Sequence, residues 1–205
     1  MKRFISLLLF LFTLITSNAA SYSGTLPVMH IQTQNNAPIV SKEDYLNATY
    51  YIDALGISGY QNIGSASTPL SMEIRGRGNW TWRGFDKKPY RIKFKESTKF
   101  LGKGYAKNKS WTLLANHGDK SLLRNAVTFT MGDFLGQPFS PAAHFVDLVL
   151  NGTYLGNYQV SDQVNVDNKR VEIFEQEDPA TADANITGGY LVEIDGFGTS
   201  EKVNF

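Results

Sequence analysis

The sequence predicts an α+β domain on a mostly antiparallel sheet with one main packed helix. Three observations carry that expectation. Short segments that alternate apolar and polar residues recur along the chain, as half-buried strands do. An Asn-Gly pair, Asn151-Gly152, joins two of them. One stretch, begun by Asp119-Lys120-Ser121, carries apolar residues at helical spacing. The composition agrees, since 13 Phe, 10 Tyr and 18 Gly suit strands and turns better than a helical bundle.

The first segment is not part of that domain. Lys2 and Arg3 precede an apolar run from Phe4 to Ile15, followed by the small residues Thr16-Ser17-Asn18-Ala19-Ala20. This is the pattern of a signal peptide, with an apolar stretch too short to span a bilayer comfortably. We assign residues 1–19 to the signal, place cleavage after Ala19 or Ala20, and expect an exported domain over 20–205, whether periplasmic, cell-surface or extracellular. No later apolar run approaches the length of a membrane helix, so no stable span is expected after cleavage.

Leu26–Thr33 reads as the first strand and Asn35–Pro38 as a turn. Ser41-Lys42-Glu43-Asp44 has the spacing of a capping box, which predicts a short helix there. Asn47–Asp53 reads as a strand and 56–69, rich in Gly, Ser and Asn, as a loop. Leu70–Arg75 and Pro89–Lys95 alternate, the second with Tyr90, Ile92 and Phe94 on one face. Trp111–Ala115 is a further short strand. The helix follows, with Leu122, Leu123, Ala126, Val127, Phe129, Thr130, Met131 and Phe134 as its apolar face and Gly136 as its stop. It is expected to pack on the sheet. His144–Leu150 and Thr153–Val160 flank Asn151-Gly152 and form a hairpin on a tight primed turn. Arg170–Phe174 and Gly188–Asp195 complete the strands, with a polar loop over 175–184 between them.

Composition excludes several functions. Twenty basic against 19 acidic residues give a formal charge of +1, and loss of Lys2 and Arg3 takes the mature chain to −1. A general nucleic-acid binder needs a large basic excess. With no cysteine, disulfides, zinc-thiolate sites and thiol catalysis are absent. Neither a Walker loop, a dinucleotide fingerprint nor a Gly-x-Ser-x-Gly elbow occurs. Five Asn-x-Ser/Thr sequons carry weight only in a eukaryotic secretory pathway.

The loop from Arg75-Gly76-Arg77-Gly78 to Lys88 is the most chemically loaded piece. Glycines let a backbone approach a ligand closely, and the guanidinium forks of Arg75 and Arg77 match phosphate or carboxylate oxygens. Arginines stacked on Trp80 and Trp82 in a surface hairpin would look the same in sequence. Lys88, at the strand entrance, could fold over a ligand held in that loop, or be solvated. Alternation places Arg91 and Lys93 on the solvent face. His30, His117 and His144 fall in different elements, which gives no local metal motif. Glu193 and Asp195 share a strand face, as a divalent-cation pair or an exposed edge would.

With these segments in order, the chain resembles the CotH kinase family, named after the spore coat protein H, and specifically its exported bacterial members. The matching stretches are Leu26–Thr33, Ile74–Asn79 with Trp82, Lys87–Phe94, Trp111–Asn116, Asp119–Asn125, Asn151–Tyr158 and Gly188–Asp195. The resemblance implies the N-terminal part of an atypical protein-kinase-like fold that binds ATP and Mg2+ and phosphorylates protein substrates. It implies that Arg75 and Lys88 are nucleotide-binding residues on the phosphate side, and Arg77 joins them as a nucleotide-binding candidate by the chemistry of its guanidinium in the same loop. It makes Tyr158–Gln163 the hinge against which adenine packs, with Asp162 where the family usually has Glu. Arg124 and Asn125 would fix the helix to the sheet.

The family's catalytic and metal-binding aspartates lie in a later helical half, around an Asn-x-Asp-like loop and a Trp-Asp-x-Asp segment, and neither stands in these 205 residues. The expectation is therefore an incomplete, non-catalytic portion of such a kinase, with nucleotide and a protein substrate as its partners and no nucleic acid. The competing expectation is a secreted adhesion or carbohydrate-binding module whose aromatic platform is Trp80, Trp82, Tyr154 and Tyr158.

Overall fold

Alternation along the strands decides which side chains meet, and the computed structural model, which describes residues 24–100, 107–167, 169–174 and 189–191, shows where they go. Seven strands form: β1 (Val28–Thr33), β2 (Leu46–Asp53), β3 (Leu70–Gly76), β4 (Tyr90–Thr98), β5 (Asn108–Leu114), β6 (His144–Leu150) and β7 (Thr153–Asp162). Two short helices join them, α1 (Trp80–Gly84) between β3 and β4 and α2 (Arg124–Phe134) between β5 and β6.

The sheet closes into a barrel in the order β1-β2-β3-β4-β5-β7-β6. All neighbours are antiparallel except the seam, where β1 runs parallel to β6 from Val28 opposite Asp147 to Ile31 opposite Leu150. The fold is thus mostly β, and the expected sheet is a closed barrel. Among the described residues, closure leaves this sheet without an open edge.

The alternate residues fill the barrel. Tyr90, Ile92 and Phe94 of β4 are buried as their spacing predicts, beside Met72 and Ile74 of β3 and Leu113 of β5. Tyr50, Phe94, Phe100 and Trp111 form a chain of ring contacts with centroids 4.4, 5.9 and 5.5 Å apart. Such contacts add to the stabilisation from burial.

The Asn-Gly turn has a second task. Asn151 and Gly152 adopt the positive φ of 50° and 78° that a primed hairpin turn needs. The Asn151 side-chain oxygen also accepts from the amide of Thr33 at 2.8 Å, and its own amide donates to the carbonyl of Ile31 at 2.9 Å. The turn thereby ties the hairpin to β1 where the barrel closes.

Three expectations change. Ser41 does accept from the amide of Asp44 at 2.9 Å, as in a capping box, but no helix follows. The chain enters β2 at Leu46, and pairing of Leu46 with Ile74 outweighs one local turn. Arg170–Phe174 makes one bridge, Val166 to Val171, rather than a strand. The main helix starts at Arg124, not at Asp119, and buries no residue: Val127, Met131 and Phe134 are 54, 55 and 89% exposed. Among the described residues nothing buries its apolar face. Over β7 lies buried Ala142, whose carbonyl accepts from the Ser161 hydroxyl. The signal segment, the 175–184 loop and most of the Gly188–Asp195 strand lie outside the described residues.

Candidate functional site

The glycine-rich loop leaves β3 at Gly76. A Cβ there would stand 2.5 Å from the Trp82 indole, so only glycine lets that ring lie against the strand end. Lys88 secures the same ring from the other side of the loop, donating to the Trp82 carbonyl at 2.7 Å with its ammonium 5.7 Å from the ring centroid. Its own carbonyl accepts from the Tyr158 hydroxyl at 3.0 Å. Lys88 is therefore engaged in holding α1. Gly76→Ala is expected to displace Trp82 and to cost about 1–3 kcal/mol, the usual range for overpacking. Chemical denaturation with tryptophan fluorescence reads both effects.

Lys87 is the more unusual of the two lysines. Burial pushes its ammonium below the usual lysine range, an effect partly offset by the charge of Asp147. It donates to the Asn157 carbonyl and stands 4.5 Å from the Tyr158 ring centroid.

Arg75 and Arg91 are directly opposed on β3 and β4. Like charges so placed repel, and a fold normally offsets them with acids. Arg75 has some relief: it donates to the Lys42 carbonyl, lies 4.9 Å over the Tyr45 ring and is 3.8 Å from the exposed Glu43 carboxylate. Arg91 has no ion pair among the described residues, and the Nε of each arginine is buried without a hydrogen-bond partner. Arg77 is next to them. Burial, then the charge of Arg91, holds its guanidinium below the usual arginine range, and no acid pairs with it among the described residues. These three arginines, Lys42, Glu43, Asn79 and Gln163 line a polar hollow of about 320 Å³.

Asp162 lies elsewhere. One carboxylate oxygen is 3.0 Å from the Arg170 guanidinium and the other accepts from the amide of Ala142 at 2.8 Å, with both side chains at most 3% exposed. Arg170 in turn donates to the carbonyls of Gln163 and Ser110 and to the Asn165 side chain, all at 2.7 Å. Both oxygens of Asp162 are thus engaged by the protein, and its neighbour Gln163 is the residue that reaches the arginine hollow.

At α2, Asn125 donates to Asn116 at 2.9 Å and Asn116 donates to Gln159 of β7 at 2.9 Å, which ties the helix start to the sheet. Arg124 turns instead to Asp119, whose carboxylate is 3.5 Å from its Nε and accepts from its amide at 2.9 Å.

The structure therefore brings together Arg75 and Arg77, adds Arg91, and places Lys88 and Asp162 in structural contacts. Trp80, Trp82, Tyr154 and Tyr158 do not share an exposed platform, since Tyr158 is only 1% exposed. Among the described residues no three His, Asp or Glu side chains converge as cation ligands. Glu193 and Asp195 lie outside them.

Residues 74–203 match a protein-family model described as CotH kinase protein, which begins at the last residues of β3 and takes in the whole arginine-bearing loop. No curated protein matches the chain.

Proposed function

From the premise that the chain belongs to the CotH kinase family, we propose that its arginine hollow holds the phosphates of ATP, for phosphoryl transfer to a protein acceptor. Membership in the family supports nucleotide, divalent metal and protein substrate as a class. The assignment of residues rests on one observation: Arg77 and Arg91 stand side by side with no acidic partner among the described residues. Three guanidiniums with one exposed carboxylate, Glu43, beside them keep an excess of positive charge that is complementary to a polyanion. Guanidinium forks suit phosphate oxygens better than a point charge does. Arg75, Arg77 and Arg91 bind the phosphates in this reading, the loop at Gly76 and Gly78 covers them, and Lys88 keeps the loop in place through Trp82.

Phosphoryl transfer also needs metal ligands and a group that positions the acceptor hydroxyl. In this reading the part of the described residues is to bind and orient the nucleotide. The basic, apolar and small-residue order of the first 20 residues supports export, and amino-terminal sequencing of the protein recovered outside the cytoplasm checks the cleavage site.

Isothermal titration with ATP and magnesium tests the nucleotide reading. Arg75→Ala is expected to weaken binding by about 1–3 kcal/mol, as loss of a hydrogen bond to a charged group does. Unchanged affinity would remove Arg75 from the site, and no binding by the wild-type chain would overturn the reading.

A further inference from the structure

Arg77 lines two hollows at once, and the second has a different chemistry. It measures about 280 Å³ and is formed by the α1 loop, the entrance to β4 and the turn before α2. Phe85, Pro89 and Leu114 give it apolar walls, while Arg77 and Lys87 supply cations. Asp119 is the one carboxylate lining it among the described residues. That carboxylate is engaged: it accepts from the Ser121 hydroxyl at 2.7 Å and from the amides of Ser121 and Arg124 at 3.0 and 2.9 Å. Lys87 spends one of its three ammonium protons on the Asn157 carbonyl, and Asp147 draws on part of its charge.

An inorganic phosphate would have no hydrocarbon to place against Phe85 and Pro89. A carboxylate side chain carried on a polypeptide does, and it would leave the all-polar arginine hollow to the nucleotide. Resting on the nucleotide reading above, we propose that this second hollow is a docking subsite for an Asp or Glu residue, flanked by an apolar one, in the protein acceptor. Arg77 is then shared between the acceptor's carboxylate and the nucleotide's phosphates. The kinase therefore selects acceptors with an acidic residue near the phosphorylated hydroxyl.

Fluorescence anisotropy with the full chain tests this, using a labelled peptide that carries Glu beside Phe and its Gln counterpart, with ATP titrated separately. The Glu peptide is expected to bind about 10-fold more tightly than the Gln peptide, the scale of a charge-assisted contact in a partly desolvated pocket. Lys87→Met should erase that preference and leave ATP affinity unchanged, and Arg75→Ala should do the reverse. If Lys87→Met fails to fold, Phe85→Ala reports on the same hollow through the apolar wall.

Equal binding of the two peptides, with ATP binding intact, overturns the proposal and spares the nucleotide reading. Loss of ATP affinity in Lys87→Met overturns it by assigning the hollow to the nucleotide. Absence of ATP binding with the Glu preference intact overturns the nucleotide reading and the sharing of Arg77, while supporting the acidic subsite itself.

Discussion

Asp162→Ala is expected to lower the stability of the domain by about 3–5 kcal/mol, the range for removing one partner of a buried ion pair. The Asp162 and Arg170 side chains are 3 and 1% exposed, so water cannot replace the lost carboxylate without opening the structure. The substitution also strips the acceptor from the Ala142 amide. Arg170 would keep its three neutral acceptors, at Gln163, Asn165 and Ser110, and its place 5.2 Å from the centroid of the Trp111 ring, but would lose its ion-pair partner and keep only the charge of Asp167 to favour its charged form. Burial already pushes that guanidinium below its usual range, a tendency that Asp162 opposes. Replacing both members, as Asp162→Leu with Arg170→Met, should recover most of the loss, because an apolar pair of similar volume removes the stranded charge. Urea denaturation of the two variants decides the matter. A loss below about 1 kcal/mol in Asp162→Ala, the range of an exposed pair, would mean that the pair is solvated.

That pair also shows where the sequence was legible and where it was not. Local chemistry was readable: Asn151-Gly152 requires positive φ, and Tyr90, Ile92 and Phe94 alternate, so the hairpin and the inner face of β4 follow from neighbours in sequence. Barrel closure was not, because it depends on β1 meeting β6 in parallel, a pairing between distant segments that neither advertises. The apolar spacing of Val127, Met131 and Phe134 encodes a helical face but not what covers it, and these residues stand exposed. The family resemblance alone makes Asp162 a ligand contact, and its buried partner, Arg170, lies in a stretch of weak pattern that gives no warning of the ion pair.

The candidate site divides the same way. The loop Arg75-Gly76-Arg77-Gly78 stood out by composition, and Arg75 and Arg77 do meet in one hollow. Alternation sets only the face of Arg91 and so places it toward solvent. Register adds what alternation cannot, that the residue across from it is Arg75. Lys87 and Lys88 are adjacent, and composition does not distinguish them. The close approach of Trp82 to Gly76 brings the Trp82 carbonyl to Lys88 and leaves Lys87 to line the second hollow.

Arg91→Met is expected to move binding and stability in opposite directions, and that opposition separates a ligand-binding arginine from a structural one. In the protein without nucleotide, Arg91 opposes Arg75 across the sheet and buries an Nε that has no partner among the described residues. Methionine keeps much of the side-chain length and packing while removing both costs, so the unliganded domain should be unchanged or stabilised by up to about 1 kcal/mol. ATP loses a guanidinium fork at the same time, and its affinity should fall by about 1.5–3 kcal/mol, or roughly 10- to 150-fold. The remaining affinity should depend less steeply on salt, because one fewer cation meets the phosphates. A structural arginine would behave otherwise: its removal would lower the unfolding midpoint and weaken ATP only as far as the fold was lost. Titration calorimetry at two ionic strengths, paired with urea denaturation of the same preparations, reads both quantities. Equal ATP affinity in the variant and the wild type would take Arg91 out of the phosphate site and leave its unpaired position in β4 without a ligand to answer it.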